Sequence, residues 1–285
     1  MLLTTKIATL GPAQTFSDFA AKQYLEETNN KYEIHYTPNI QKVFKAILSD
    51  ECDYGVVPIE NLTEGHVQVA LDLLVPSNLQ IIYELILPIQ FSFVSNTDAK
   101  NIEKIFTQFV TRGQCNDFLE DYNHCDISTT QSNIESLDAL LNSEEKAGAI
   151  VPLHVIDSHP SLNVIASNIS DSKINQTRFF VLGKCIETSN DSENYKTSIV
   201  IFNSKDRSGM LSDILNIISD NHINITSIIS RPTREEFGKY HFFIDIDGNL
   251  NNLTVKNAIN DIQKNHKVKI LGCYPKAKQI ESKKS

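Results

Sequence analysis

Along most of this chain, short β-branched apolar runs alternate with stretches of helical spacing. That alternation confines the fold to an α/β architecture built from βαβ units. Strands are expected at 6–10, 33–37 and 54–58, and helices at 15–27, 40–48 and 65–74. The helix at 40–48 is the clearest, with Ile40, Val43, Phe44, Ile47 and Leu48 on one face. A β-rich run at 79–94, interrupted by Pro88, carries the chain into a second lobe at about 90–165. There, strands at 105–110, 126–129 and 147–151 alternate with helices at 114–121 and 132–141. This second lobe is expected to be another doubly wound sheet. An apolar strand at the end of 174–182 closes the region.

The stretch 187–195 is polar, lacks periodic apolar residues, and reads as a linker. The pattern then changes to β-α-β-β-α-β: strands at 197–203, 223–230, 239–247 and 268–274, with helices at 209–220 and 253–264. That order is the ferredoxin-like unit. The chain of 285 residues therefore divides into a two-lobed unit over 1–185 and a small module over 196–275. The Lys-rich tail after Pro275 is expected to fray.

Charge and cysteine usage narrow the function. A net charge of −9 argues against nucleic acid and anionic membranes as partners. An anion site would have to be built locally, from backbone N–H groups and a few arginines. The cysteines at 52, 115, 125, 185 and 273 are odd in number, widely spaced and free of any Cys-x-x-Cys. They read as reduced thiols rather than a disulfide framework or a zinc site. The N-terminus lacks signal-peptide shape, and no apolar run approaches a membrane span, so a cytoplasmic protein is expected.

Three polar clusters interrupt the apolar pattern. The buried strand at 54–58 ends in Glu60, Asn61, Thr63, Glu64 and Gly65. Open α/β sheets place ligands at such strand ends. A loop in which Asn61 or Thr63 caps the next helix is an equal reading. His66 there reads as a surface or capping residue. Gly11-Pro12 followed by Thr15-Phe16-Ser17 makes a turn into a helix N-terminus, either an anion cradle or a βα turn capped by Thr15. Thr177-Arg178-Phe179 puts a hydroxyl beside a guanidinium at the entry of an apolar strand, the donors needed for two-point capture of a carboxylate. The structural alternative is Arg178 snorkelling to solvent.

These clusters resemble a known family. Pro58-Ile59-Glu60-Asn61-x-x-x-Gly65 resembles a signature of prephenate dehydratases, the enzymes that make phenylpyruvate for phenylalanine synthesis. Gly11-Pro12-x-x-Thr15-Phe16-Ser17, the Gln114-Cys115 and Ser128-Thr129 pairs, and Asn175-x-Thr177-Arg178-Phe179 are similar to further motifs of that family. The resemblance implies a periplasmic-binding-protein-like catalytic unit that needs no cofactor or metal. Arg178 would hold the side-chain carboxylate of prephenate, and Thr177 would contact the departing hydroxyl. Thr15, Ser17, Asn61, Ser128 and Thr129 would supply neutral donors, with Thr63, Gly65 and Phe179 completing the substrate site. Glu60 has a rival claim as proton source if burial raises its pKa. The family has glycine at Gln14, histidine near Gln108 and serine at Leu62. No chorismate mutase region precedes Gly11, so dehydratase activity alone is expected. Arogenate dehydratase and a non-catalytic amino-acid-binding protein are the competing readings.

The C-terminal module resembles an ACT domain, an amino-acid-sensing unit, through Asp206-Arg207-Ser208-Gly209-Met210-Leu211, Ile229-Ser230-Arg231-Pro232 and Gly238-x-Tyr240-x-Phe242-Phe243-x-Asp245. The family usually has glutamate at Ile229. The resemblance implies phenylalanine as effector, held by Ser208, Gly209, Met210, Leu211, Asn224, Ser230, Arg231 and Pro232. Helix N-terminal N–H groups would take its carboxylate. Such a site between subunits implies a homodimer, or a homotetramer formed as a dimer of dimers.

Overall fold

The computed structural model describes residues 4–28, 32–185, 194–202, 208–233 and 239–277. The expected linker at 187–195 and the tail lie mostly outside these residues, as do Asp206, Arg207 and Gly238.

The first lobe is formed by β1 (Thr5–Leu10), α1 (Phe16–Thr28), β2 (Tyr32–Thr37), α2 (Ile40–Leu48), β3 (Tyr54–Asn61), β4 (Gly65–His66), α3 (Gln68–Leu74) and β5 (Gln80–Pro88). β1 pairs in parallel with β2 and β3, as βαβ connections require. α2 begins where Asn39 accepts a hydrogen bond from Lys42 N at 3.0 Å, and its Val43, Phe44 and Ile47 are buried.

Two boundaries differ from expectation. β3 runs through Asn61 rather than stopping at Pro58, so Glu60 and Asn61 lie on a strand. Gly65 and His66 then fold back as β4, pairing with Asn61 and Glu60, and α3 starts only at Gln68. Gly65 permits this return because its φ of +80° suits glycine.

The second lobe contains β6 (Phe91–Ser95), β7 (Lys104–Gln108), α4 (Phe109–Gly113), α5 (Asn116–Leu119), β8 (Asp126–Thr130), α6 (Asn133–Leu141), β9 (Ala147–Pro152) and β10 (Asn163–Ala166). Its sheet order is β10-β6-β9-β7-β8. Only β9, β7 and β8 are parallel; β6 pairs antiparallel with β9 and β10. The lobe is thus mixed rather than wholly doubly wound, and β10 is a strand the pattern did not reveal.

β11 (Gln176–Gly183) returns to the first lobe and inserts antiparallel between β3 and β5. The ACT-like module follows: β12 (Tyr195–Phe202), α7 (Met210–Asp220), β13 (Ile225–Pro232), β14 (Tyr240–Asp247), α8 (Leu253–Asn265) and β15 (Lys267–Pro275). Its order, β13-β14-β12-β15, is the ferredoxin-like arrangement. Ile199, Ile201, Ile244 and Ile246 face its two helices, while Val200, Phe243, Leu271 and Tyr274 join the core of the first lobe. Both faces of its central strands are therefore covered, while the edge strand β13 leaves Ile228 exposed. β15 also meets β5 at Gly272 and Ile81, merging the two units into one ten-stranded sheet. A Cβ on Gly272 would lie 2.2 Å from the Ile81 carbonyl oxygen, so this approach requires glycine.

Candidate functional site

The polar cluster is organised by Asn61. Its Nδ2 donates to Thr177 Oγ1 at 2.8 Å, to Asn175 Oδ1 at 2.9 Å and to the Gln176 carbonyl at 3.2 Å. Its Oδ1 accepts from Thr63 N at 2.9 Å, Thr63 Oγ1 at 2.7 Å and Glu64 N at 2.9 Å. The side chain thus shapes the turn after β3 and ties it to β11. Because Thr177 Oγ1 accepts from Asn61, its own O–H is directed elsewhere and remains able to donate. Asn175 and Thr177 are both buried.

The second lobe reaches this cluster through Gln114, at the end of α4. Gln114 Nε2 donates to Glu64 Oε1 at 2.9 Å and Thr63 Oγ1 at 3.2 Å, and its Oε1 accepts from Asn175 Nδ2 at 3.4 Å. Beside it opens a cavity of about 350 Å³ lined by Glu64, Phe109, Val110, Arg112, Gly113 and Asn116. The lobes also meet where His154 stacks on Phe19 at 4.7 Å and its Nε2 lies 2.9 Å from the Gln14 carbonyl. Burial pushes the His154 ring below the ordinary histidine value, with the Gln14 contact partly opposing it. Gln14 itself adopts φ 69°, which explains why glycine suits that position.

Asn61, Thr63, Gly65 and Thr177 are thus brought together, and Gln114 and Asn175 join them. The Asn175 position was visible in the Asn-x-Thr-Arg-Phe pattern, but its role as acceptor for Asn61 was not. Other expected substrate residues are placed differently. Thr15 caps α1, donating to Pro12 O at 3.0 Å and accepting from Asp18 N at 3.3 Å. Ser17 is buried, with its carbonyl accepting from Thr9 Oγ1 at 3.2 Å. Ser128 and Thr129 lie on the edge strand β8. None of these four hydrogen-bonds to the Asn61 cluster. Phe179, 1% exposed, packs into the core against α1 rather than facing a ligand.

Arg178 and Glu60 stand apart from the Asn61 cluster, contrary to the expected grouping. Side chains of adjacent strand residues point to opposite faces. With Thr177 on the cleft side, Arg178 faces the ACT module. Its Nε donates to Glu84 Oε2 at 2.8 Å, its Nη1 to Asp245 Oδ2 at 2.6 Å and its Nη2 to Tyr274 OH at 3.0 Å. The guanidinium also lies 4.6 Å from the Phe180 ring centroid. Burial opposes its charge, but Asp245, Tyr274 and Glu84 outweigh burial and hold it protonated. Its guanidinium is engaged at the junction with the ACT module, on the face opposite Thr177. Glu60 is the register partner of Arg178, as Asn61 is of Thr177, and pairs with His66 Nδ1 at 3.6 Å. It therefore stands on the face away from Thr177.

The expected effector residues divide similarly. Gly209 opens α7 with φ +84°, and Ser208, Ser230 and Pro232 are exposed. Met210 is buried in the core beneath α7, Leu211 is partly buried on that helix, and Asn224 Nδ2 donates to Asp247 Oδ2 at 3.0 Å. Arg231 turns toward the catalytic lobe, where its Nη2 meets both Asp72 carboxylate oxygens at 2.8 Å and its Nε donates to Oδ1 at 3.1 Å.

Burial pushes the Cys115 thiol up to about 12 and the Cys52 thiol up to about 11, so neither is poised as a nucleophile. Among the described residues, no group of three or more His, Cys, Asp and Glu side chains is placed to hold a metal. No helix among them is long and apolar enough to cross a membrane.

Comparison with known proteins places these features in context. A family model described as prephenate dehydratase matches residues 7–186, and one described as ACT domain matches residues 198–263. A bifunctional chorismate mutase/prephenate dehydratase of Aquifex aeolicus is 35% identical over 277 residues, covering 95% of this chain and 74% of that protein. A prephenate dehydratase of Methanocaldococcus jannaschii is 30% identical over 266 residues, covering 93% and 96%. The crystal structure of a prephenate dehydratase from Arthrobacter aurescens, in complex with L-Phe, superposes with a TM-score of 0.85 at 28% identity, covering 96% and 90%.

Proposed function

The chain belongs to the prephenate dehydratase family, and from that premise we propose which of its groups carry the reaction. Prephenate loses its ring carboxylate as CO2 and its ring hydroxyl as water, leaving phenylpyruvate. The C–C bond to the carboxylate breaks, its electron pair enters the ring, and the C–O bond to the hydroxyl breaks. The departing oxygen must receive a proton. We assign that role to Thr177: Asn61 donates to its oxygen, which leaves its own O–H free to donate. A threonine is a weak acid, so its contribution is an oriented hydrogen bond to developing charge, with the proton ultimately replaced from water.

Gln114, Thr63 and Asn175 supply the neutral polar lining, and Gln114 makes that lining depend on the approach of the second lobe. With Arg178 committed elsewhere, the cation that lines the adjacent cavity is Arg112, and it is suited to a substrate carboxylate. The single observation carrying this reading is the 2.8 Å bond from Asn61 to Thr177.

The ACT module supports phenylalanine as its effector. An A. aurescens relative was solved in complex with L-Phe. Of the expected effector residues, Ser208, Gly209, Asn224, Ser230 and Pro232 are exposed and open to a ligand. β13 is one of the two edge strands of the long sheet, and on the ACT side it offers a surface suited to pairing with a second copy. A homodimer, or a dimer of such dimers, would complete the effector site. Cysteines without disulfides suit a cytoplasmic setting.

The test is turnover by the purified protein with prephenate and with arogenate, each with and without phenylalanine. Phenylpyruvate and CO2 should form from prephenate, and phenylalanine should lower the rate. Preference for arogenate would overturn the substrate, and indifference to phenylalanine would overturn the effector.

A further inference from the structure

Each of the two ligand motifs, Thr177-Arg178-Phe179 and Ser230-Arg231-Pro232, contains an arginine that points across the boundary into the other unit. We propose that Arg178 and Arg231 are positioning residues, two cross-domain struts by which the ACT module holds Thr177 and Asn61 in register. Neither arginine binds a ligand. The inference builds on the assignment of Thr177 and Asn61 above.

The first strut starts beside Thr177. Arg178 crosses to Asp245 on β14 and Tyr274 on β15 while Glu84 on β5 anchors it at home. Ser198 Oγ donates to Asp245 Oδ1 at 2.5 Å and lies 2.6 Å from Tyr274 OH. Lys196 Nζ and Ala277 N complete Glu84 at 2.8 and 2.9 Å. The cluster holds two cations, Arg178 and Lys196, and two carboxylates, Glu84 and Asp245, so its charges balance. A substrate carboxylate entering here would be a third buried anion without a cation. The β3–β11 register shifts between Arg178 and Phe179, one residue from Thr177. A bulge is a place where a strand can re-aim a neighbouring side chain.

The second strut runs the other way. Arg231, on β13, holds the Asp72 carboxylate in α3. Lys269 on β15 donates to the carbonyls of Leu74 at 2.8 Å and Val75 at 2.9 Å, and also to that of Ser77, fixing the same end of α3. The opposite end of α3 follows directly on β4, whose Gly65 pairs with Asn61. One strut therefore ends next to Thr177 and the other ends, through one short helix, at Asn61. The catalytic hydrogen bond joins the two ends.

The experiment measures kcat, KM and phenylalanine inhibition for Arg178→Gln, Asp245→Asn, their double variant, and Asp72→Asn. Asp245 and Asp72 lie outside the cleft. Asp245→Asn and Asp72→Asn should each lower kcat by about tenfold, with KM little changed and phenylalanine inhibition weakened. The double variant should be no slower than the slower single, because both substitutions cut one link. Wild-type kcat and inhibition in Asp245→Asn and Asp72→Asn would overturn the proposal. So would multiplicative losses in the double variant, or an Arg178→Gln effect confined to KM. If Arg178→Gln does not fold, the two aspartate variants decide the question. A wild-type enzyme that ignores phenylalanine would refute the effector assignment, while the kcat comparison would still judge the struts.

Discussion

Thr177 and Arg178 are neighbours on one strand, yet they belong to two different chemical worlds. The cleft face gathers amides and hydroxyls: Asn61, Asn175, Gln114 and Thr63 close a ring of hydrogen bonds, and Thr177 joins it by accepting from Asn61. The junction face gathers charges: Arg178, Lys196, Glu84 and Asp245, largely buried where the two units share one sheet. Neutral donors can be reoriented toward a substrate at small electrostatic cost. A buried, balanced ion cluster cannot, because losing one partner strands the others. The difference teaches that an arginine inside an activity-bearing motif can serve the motif by bracing it.

Asn61→Ala would break the comparison most sharply. It removes the donor that orients Thr177 and the acceptor that forms the turn at Thr63 and Glu64. A kcat loss of about 10²–10³-fold is expected, the usual consequence of removing a preorganised donor. Steady-state kinetics on prephenate check it, and a change in KM alone would place Asn61 in binding rather than orientation.

The smallest effect concerns acidity at the lobe contact. Burial holds the folded-state pKa of His154 below its unfolded value of about 6.5. Asp18 and Asp157 favour the proton there, and Lys22 disfavours it. The unfolded chain then binds more protons as the pH drops through that value, so this contribution to stability is present above it and is lost below it. Thermal midpoints between pH 7.5 and 5.5 should fall further in the wild type than in His154→Phe, which keeps the stack on Phe19 and the edge contact with Phe16. Equal slopes would show that His154 has no such role.

Much of the architecture was legible. The α2 boundaries are those its spacing predicts, and the β-α-β-β-α-β order is present. What escaped was set by geometry over longer distances. β3 continues through Asn61 because β11 pairs with it there, a partner 116 residues away along the chain. The motif supplied the right residues, but the parity of a strand decides which of them share a face. That rule alone separates the arginine from the threonine in Thr177-Arg178-Phe179. Capping by Thr15 was the structural alternative for its turn, and it is what the fold uses, while Phe179 is buried in the core instead of lining the site. β10 is four residues long and forms a sheet edge, too short for a periodic signal.

The account depends on a hydroxyl that Asn61 aims at the departing oxygen, and Thr177→Val tests it most directly by removing that hydroxyl while keeping the side chain's shape. With prephenate saturating, kcat should drop by about 10²–10³-fold with little change in thermal midpoint, and Thr177→Ser should recover much of the rate. Turnover by Thr177→Val within about threefold of wild type would contradict it, since a catalytic donor worth naming cannot be lost at so little cost.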